Sequence, residues 1–306
     1  MLGFKTAAVL VGVLASTVSA IGQVREGAAK ISGLTQGDVI ATKDYPWSAI
    51  GKLNNGAGGS CTAVLISEKY ALTAAHCLIF RSTGRYLPAE SLHLVLGYEK
   101  QQYREHYYVA AYYVPPDYQP HHPYETLAND WALLSLAPTG PARTQPLALT
   151  TDHDISRVHL MTAGYSHGTP YAMTADQNCK VIGQSHDHSF LFDSCKAPAG
   201  YSGSPVIVRS ADRTGFAVAA IHVANQLWQT NTIAVAIPME AIWPRIRNCV
   251  EGGRCAFQVV AHGHDPTAAE VLSGLPKLGY RNVVSPSPTE CVGGNSACTT
   301  TLTAEP

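Results

Sequence analysis

Up to Asn248 the chain is a succession of short runs rich in β-branched and aromatic residues, at 47–53, 92–96, 107–114, 131–136, 158–163, 206–209, 217–223 and 233–237. Gly, Pro, Asn and Asp close off each run, and no long 3.6-residue period joins them. A chain of this kind buries its apolar residues by pairing many strands, which points to antiparallel barrels or a sandwich. After Cys255 the pattern changes. A strand-like stretch at 257–261 precedes Asp265-Pro266, which reads as the N-cap and first residue of a helix through 275, and 280–284 reads as another strand. Residues 251–306 are therefore expected to form a small α+β appendage, with a frayed Thr-rich end.

Composition narrows the function. With 46% apolar and 14% charged residues the 306-residue chain is not disordered, and Lys plus Arg at 21 against Asp plus Glu at 22 leaves no basic footprint for nucleic acid. Within the first twenty residues Lys5 is the one charge, 7–14 are apolar or Gly, and Val18-Ser19-Ala20 offers small residues before a cut. This reads as a secretory signal peptide, 1–20, too interrupted by Ser and Thr to anchor in a membrane. The Gly-rich stretch after it, 21–41, is expected to be a short propeptide or N-terminal segment, with Arg25 and Lys30 as cleavage points.

All eight cysteines (Cys61, Cys77, Cys179, Cys195, Cys249, Cys255, Cys291 and Cys298) lie beyond the signal. An even number in a secreted chain implies disulfides. No Cys-x-x-Cys pair occurs, and the paired histidines at 121–122, 186/188 and 262/264 sit in Pro-, Gly- and Asp-rich loops, so no metal is expected. Eight cysteines allow 105 connectivities, and spacing alone selects none.

Three hexapeptides carry chemistry: Leu-Thr-Ala-Ala-His-Cys at 72–77, Asn-Asp-Trp-Ala-Leu-Leu at 129–134 and Gly-Tyr-Ser-Gly-Ser-Pro at 200–205. A hydroxyl needs a neighbouring base to become a nucleophile, and an imidazole base needs a carboxylate to fix its tautomer. Ser202, His76 and Asp130 supply the three parts. Gly200 and Gly203 permit a tight turn in which the N–H groups of Gly200 and Ser202 converge on a developing oxyanion. A competing motif, Gly-Tyr-Ser-His-Gly at 164–168, fits the nucleophile elbow of an α/β-hydrolase esterase with Ser166 as nucleophile, although Thr169-Pro170 follows at once where a helix should begin.

The three hexapeptides, in the order His76, Asp130, Ser202, make the chain resemble the trypsin-like (chymotrypsin-fold) serine peptidases over about 42–250. The resemblance implies two six-stranded Greek-key β-barrels with the active site in the cleft between them. His76 would be the general base, Asp130 its orienting acid and Ser202 the nucleophile of a secreted endopeptidase. Such an enzyme acts on proteins or peptides, as a monomer, without a cofactor. The resemblance also implies a Cys61–Cys77 bridge and, next, Cys179–Cys195; Cys249 with Cys255 and Cys291 with Cys298 are pairs of near neighbours only. Tyr201 stands where digestive members carry the Asp that captures a newly freed N-terminal amine, so that activation switch is not expected. Ser204 gives the Ser-Gly-Ser-Pro form, which is similar to the glutamyl-endopeptidase branch of bacteria and fungi. In that branch a histidine in an Ile-His context lines the substrate pocket, which makes His222 and Lys196 pocket candidates. No acid lies in 196–201, so a preference for Arg or Lys is disfavoured. A silent homologue acting as a binding module is the other alternative; it would resist active-site labelling.

Overall fold

The computed structural model describes residues 37–56, 58–141, 143–152, 158–209, 215–228, 231–253, 258–259 and 300–301. Six strands close a first barrel: β2 (Ile50–Asn55), β3 (Ser60–Leu65), β4 (Tyr70–Thr73), β5 (Leu92–Leu96), β6 (Glu105–Tyr113) and β7 (Ala132–Pro138). β1, at Asp38–Val39, belongs to the second lobe. Around the barrel the order is β2-β3-β4-β7-β6-β5, so after β4 the chain crosses over to β5 beside β2 in a Greek-key manner, and β7 closes the barrel against β4. Inward residues such as Leu53, Leu65, Leu94, Leu96, Tyr107 and Leu134 are almost wholly buried. Filling a small barrel with branched and aromatic side chains is what removes them from water, and closure leaves no strand edge. One carboxylate enters this interior. Glu105 accepts hydrogen bonds from Tyr107 Oη (2.6 Å), Thr144 Oγ1 (2.7 Å) and the Arg143 N–H (3.2 Å), which ties β6 to the start of the connection between the lobes.

The second lobe contains β8 (Leu160–Gly164), β9 (Thr174–Cys179), β10 (Val181–Gln184), β11 (Leu191–Asp193), β12 (Pro205–Arg209), β13 (Phe216–Trp228) and β14 (Asn231–Pro238). Its pairing order is β1-β9-β8-β12-β13-β14-β11-β10. The second barrel, expected with six strands, is instead an open curled sheet of these seven strands with β1 at one edge, and the Cys179–Cys195 disulfide and a 3.0 Å bond from Ser194 N–H to Lys180 O link the end of β9 to the residues after β11. β1 pairs with β9, Asp38 opposite Ala175 and Val39 opposite Thr174, so part of the segment expected to precede the domain is an edge strand of it.

Helix α1, Met239–Val250, was not legible in the sequence. It follows β14 without a loop and contains Pro244, two features that argue against a helix when read locally. Its buried face, Met239, Ile242 and Ile246, supplies the stabilisation that propensity does not. The Cys61–Cys77 bridge forms as the resemblance implied. Cys249 is disulfide-bonded too, while Cys255, Cys291 and Cys298 lie outside the described residues. So do the signal peptide and the helix and last strand expected in the appendage; within the strand expected at 257–261, Gln258–Val259 pairs with Thr300–Thr301, in the end expected to fray.

Candidate active site

His76 sits in a single 3-10 turn, Ala75–Leu78, immediately after β4, and Cys77 beside it is bridged to Cys61 on β3. Asp130 follows another 3-10 turn, Leu127–Asn129, at the entrance to β7, the neighbour of β4 in the barrel. The ladder between β4 and β7 therefore brings the two side chains together. Asp130 is 2% exposed, and both its oxygens are spent on His76: Oδ1 accepts the backbone N–H at 2.8 Å and Oδ2 faces Nδ1 at 2.7 Å. With Nδ1 donating to the carboxylate, Nε2 is the basic nitrogen. The Tyr86 hydroxyl, close enough to feel this charge, is pushed up to about 12, by burial first and then by Asp130.

Ser202 comes from the other lobe, on the turn between β11 and β12. Its carbonyl accepts the Thr62 N–H at 2.9 Å and lies 3.8 Å from Cys77 Sγ, so the turn is fastened to the disulfide next to His76. Among the described residues Ser202 Oγ makes no hydrogen bond, to His76 or to any other group. The backbone of the turn follows an alternating pattern. The N–H groups of Tyr201, Gly203 and Ser204 donate to Pro198 O, His222 O and Tyr201 O at 2.9, 2.8 and 2.7 Å. Those of Gly200 and Ser202 donate to no described group. Both glycines are required: Gly200 has φ +101° and Gly203 +83°, and a Cβ would lie 2.3 Å from Tyr165 O and 2.2 Å from Thr62 O respectively.

The two pocket candidates are not in contact. Lys196 is exposed, with its backbone N–H on Asp176 Oδ2 (3.1 Å). His222 is 2% exposed inside the second lobe, its Nε2 3.0 Å from the fully buried Asp193 carboxylate and its Nδ1 3.1 Å from Ser204 Oγ and 3.4 Å from Thr162 Oγ1. Cys61, Cys77 and Cys195 lie near these imidazoles, but each is in a disulfide and none can offer a thiolate to a metal. Ser166 is 2% exposed and bonded to Thr169 Oγ1 at 2.8 Å, in a turn after β8 that leads to no helix. The α/β-hydrolase alternative is overturned by this local geometry and by the all-β fold around it. A 610 Å³ cavity between Tyr103, His106, Thr139 and Arg143 lies on the first barrel and includes none of these groups.

Sequence reasoning missed Thr62. Its Oγ1 donates to Gly200 O (2.9 Å) and accepts from the Tyr165 N–H (3.0 Å), and its own N–H holds Ser202 O. No motif marks it beyond its place next to Cys61.

A closed six-stranded barrel beside a second curled sheet, with a buried aspartate clasping a histidine on one side and a glycine-bounded serine turn on the other, defines a chymotrypsin-fold protein. A match to the trypsin family spans residues 34–246, and the chain belongs to that family, as a serine endopeptidase. The fold is similar to a solved structure of a Glu endopeptidase in complex with MPD, with TM-score 0.58 and 17% identity over 70% of this chain and 96% of that one. No curated protein matches the sequence.

Proposed function

We propose that the protein is a secreted serine endopeptidase working through Ser202, His76 and Asp130. His76 Nε2 takes the Ser202 proton as Oγ attacks the scissile carbonyl. Asp130 holds the ring in the required tautomer and stabilises the imidazolium. The N–H groups of Gly200 and Ser202 receive the oxyanion, the leaving amine departs with the proton from His76, and water then releases the acyl group by the same steps. The observation that carries this reading is the double bond of Asp130 to His76, which spends a buried carboxylate wholly on orienting one base. Secretion rests on the signal-like N-terminus and is supported by the disulfides. The proposed chemistry draws on no metal or cofactor.

For the residue before the cut bond we propose a small-apolar or broad preference. Lys196 and His222 would favour an acidic side chain if each presented an uncompensated positive charge to the pocket. A protonated His222, however, is neutralised by Asp193 at 3.0 Å, and Lys196 lies at the surface. Asn225 of β13 donates from Nδ2 to Ala197 O at 2.7 Å, bridging the two segments that resemblance assigns as pocket walls and narrowing the space between them. The test is Ser202→Ala: peptide hydrolysis is expected to fall by about 10⁴-fold or more in kcat with the fold retained. Full activity in this variant contradicts the proposal.

A further inference from the structure

One buried group in the nucleophile turn has no part in the proposed chemistry. Tyr201 is 1% exposed, and its ring fills the space beside Gly164, where a Cβ would lie 3.0 Å from Cγ and Cδ2. Its hydroxyl donates to the Thr174 carbonyl at 2.5 Å and receives the Thr174 hydroxyl at 2.7 Å. Burial pushes this hydroxyl up to about 12, so it stays a neutral donor. Thr174 opens β9, and Val39 of β1 pairs with it.

The turn around Tyr201 is held at its peptide planes. A trans peptide points its C=O and N–H in opposite directions. Ala199 O accepts the His167 N–H at 2.8 Å, which turns the Gly200 N–H away from His167. Tyr201 O accepts the Ser204 N–H at 2.7 Å, which turns the Ser202 N–H away from Ser204. Thr62 holds the carbonyls of Gly200 and Ser202, each at 2.9 Å. Tyr201 lies between those two residues, and its side chain reaches into the second sheet at Thr174. Resting on the proposed function, we infer that Tyr201 is a positioning residue: through Thr174 it holds the Gly200 and Ser202 amides in working orientation, so the oxyanion site is assembled without a newly freed N-terminal amine. The N-terminal segment itself docks by a backbone ladder, Asp38 opposite Ala175 and Val39 opposite Thr174, with Ile40 N–H on Met173 O at 3.2 Å. Such pairing needs no terminal charge and tolerates chain on its upstream side.

The test is Tyr201→Phe, which keeps the ring and removes the hydroxyl. Expected is a drop in kcat of about 10- to 100-fold, below the loss of a whole oxyanion donor, with KM within about threefold. A peptide aldehyde, whose hemiacetal oxygen occupies the oxyanion site, should lose affinity by the same factor, while the corresponding peptide acid binds unchanged. A folded Tyr201→Phe with unaltered kcat and aldehyde affinity overturns the inference. Should that variant not fold, Thr174→Val removes one of the two hydrogen bonds and keeps the carbonyl acceptor; a kcat loss of about 3- to 10-fold supports the inference and none overturns it. Proteins beginning at Ile21, Ile31 or Gly37 should agree in kcat within about twofold, and dependence on one start overturns it. Labelling of the unaltered protein separates the two layers, since failure of a fluorophosphonate to modify Ser202 overturns the proposed function itself.

Discussion

Asp130 gives both oxygens to one histidine, one to its backbone and one to its ring, so the imidazole can neither flip nor change tautomer without breaking a buried charge-assisted bond. Asp130→Asn presents an amide nitrogen to at least one of those donors. A fall of about 10⁴ in kcat at neutral pH is expected, with little change in melting temperature, checked by steady-state kinetics and calorimetry. Activity within about tenfold of the parent would show that Asp130 does not orient the base. At this scale the sequence was informative because chemistry needs particular residue types: His76, Asp130, Ser202 and Gly200 stand in hexapeptides that few other functions require. Thr62, His167 and Thr174 were not legible. Each acts through hydrogen bonds to residues distant along the chain, as Thr62 to Gly200 at separation 138 and Thr174 to Tyr201 at 27, and any hydroxyl or amide of the chain could have served.

The strand elements carry two further expectations. The Cys61–Cys77 bridge closes a short loop between β3 and the His76 turn, with a sequence separation of 16. Replacing both cysteines by Ala should cost about 3 kcal/mol in the chain-entropy account, read from denaturant unfolding, and should reduce activity because the turn holding His76 and the Ser202 carbonyl lose a common anchor. Unchanged unfolding midpoint and kcat would remove the bridge from both roles. On the outer face of β5 and β6, His93 Nδ1 and His106 Nε2 lie 2.9 Å apart, a contact that requires at least one ring to be neutral. Burial holds both below the usual histidine value, and for His106 the neighbouring His93 charge adds to this. The unfolded rings therefore take up protons first, so their stabilisation is complete above about pH 6.5 and is lost as the pH falls below it. Glu105 adds a second loss further down. Burial alone would raise its carboxyl, but the hydrogen bonds from Tyr107, Thr144 and Arg143 and the Arg104 charge outweigh that and hold it low, so its stabilisation is present above about pH 4.3 and disappears as the pH falls further. Melting temperature should thus fall between pH 7 and pH 5, and His93→Gln with His106→Gln should flatten that fall; an unchanged slope would contradict the assignment. The strands themselves were legible from β-branched runs and turn residues. Helix α1 was not, because its amphipathic face is short, Pro244 interrupts it and tertiary packing of Met239, Ile242 and Ile246 decides the outcome.

Across the whole molecule, family membership and fold fix the reaction class, while the proposed substrate preference rests on a few side chains, Lys196, His222 and Asn225. A peptide library should be cut after small or varied apolar residues. Dominant cutting after Arg or Lys would refute the pocket description, and dominant cutting after Glu, lost in His222→Gln, would show that His222 acts on substrate despite its Asp193 partner. The two-lobed plan was readable because three motifs with a fixed order are spread over both lobes; the open seam of the second sheet and the use of β1 as its edge were not, since they depend on long-range pairing with no local signal. The central claim is that the Ser202 hydroxyl is an activated nucleophile. Its most direct test is reaction of the purified protein with a fluorophosphonate, followed by mass mapping of the modified peptide. The account predicts one equivalent of label on Ser202, abolished in His76→Ala; no label, or label on Ser166, would contradict it.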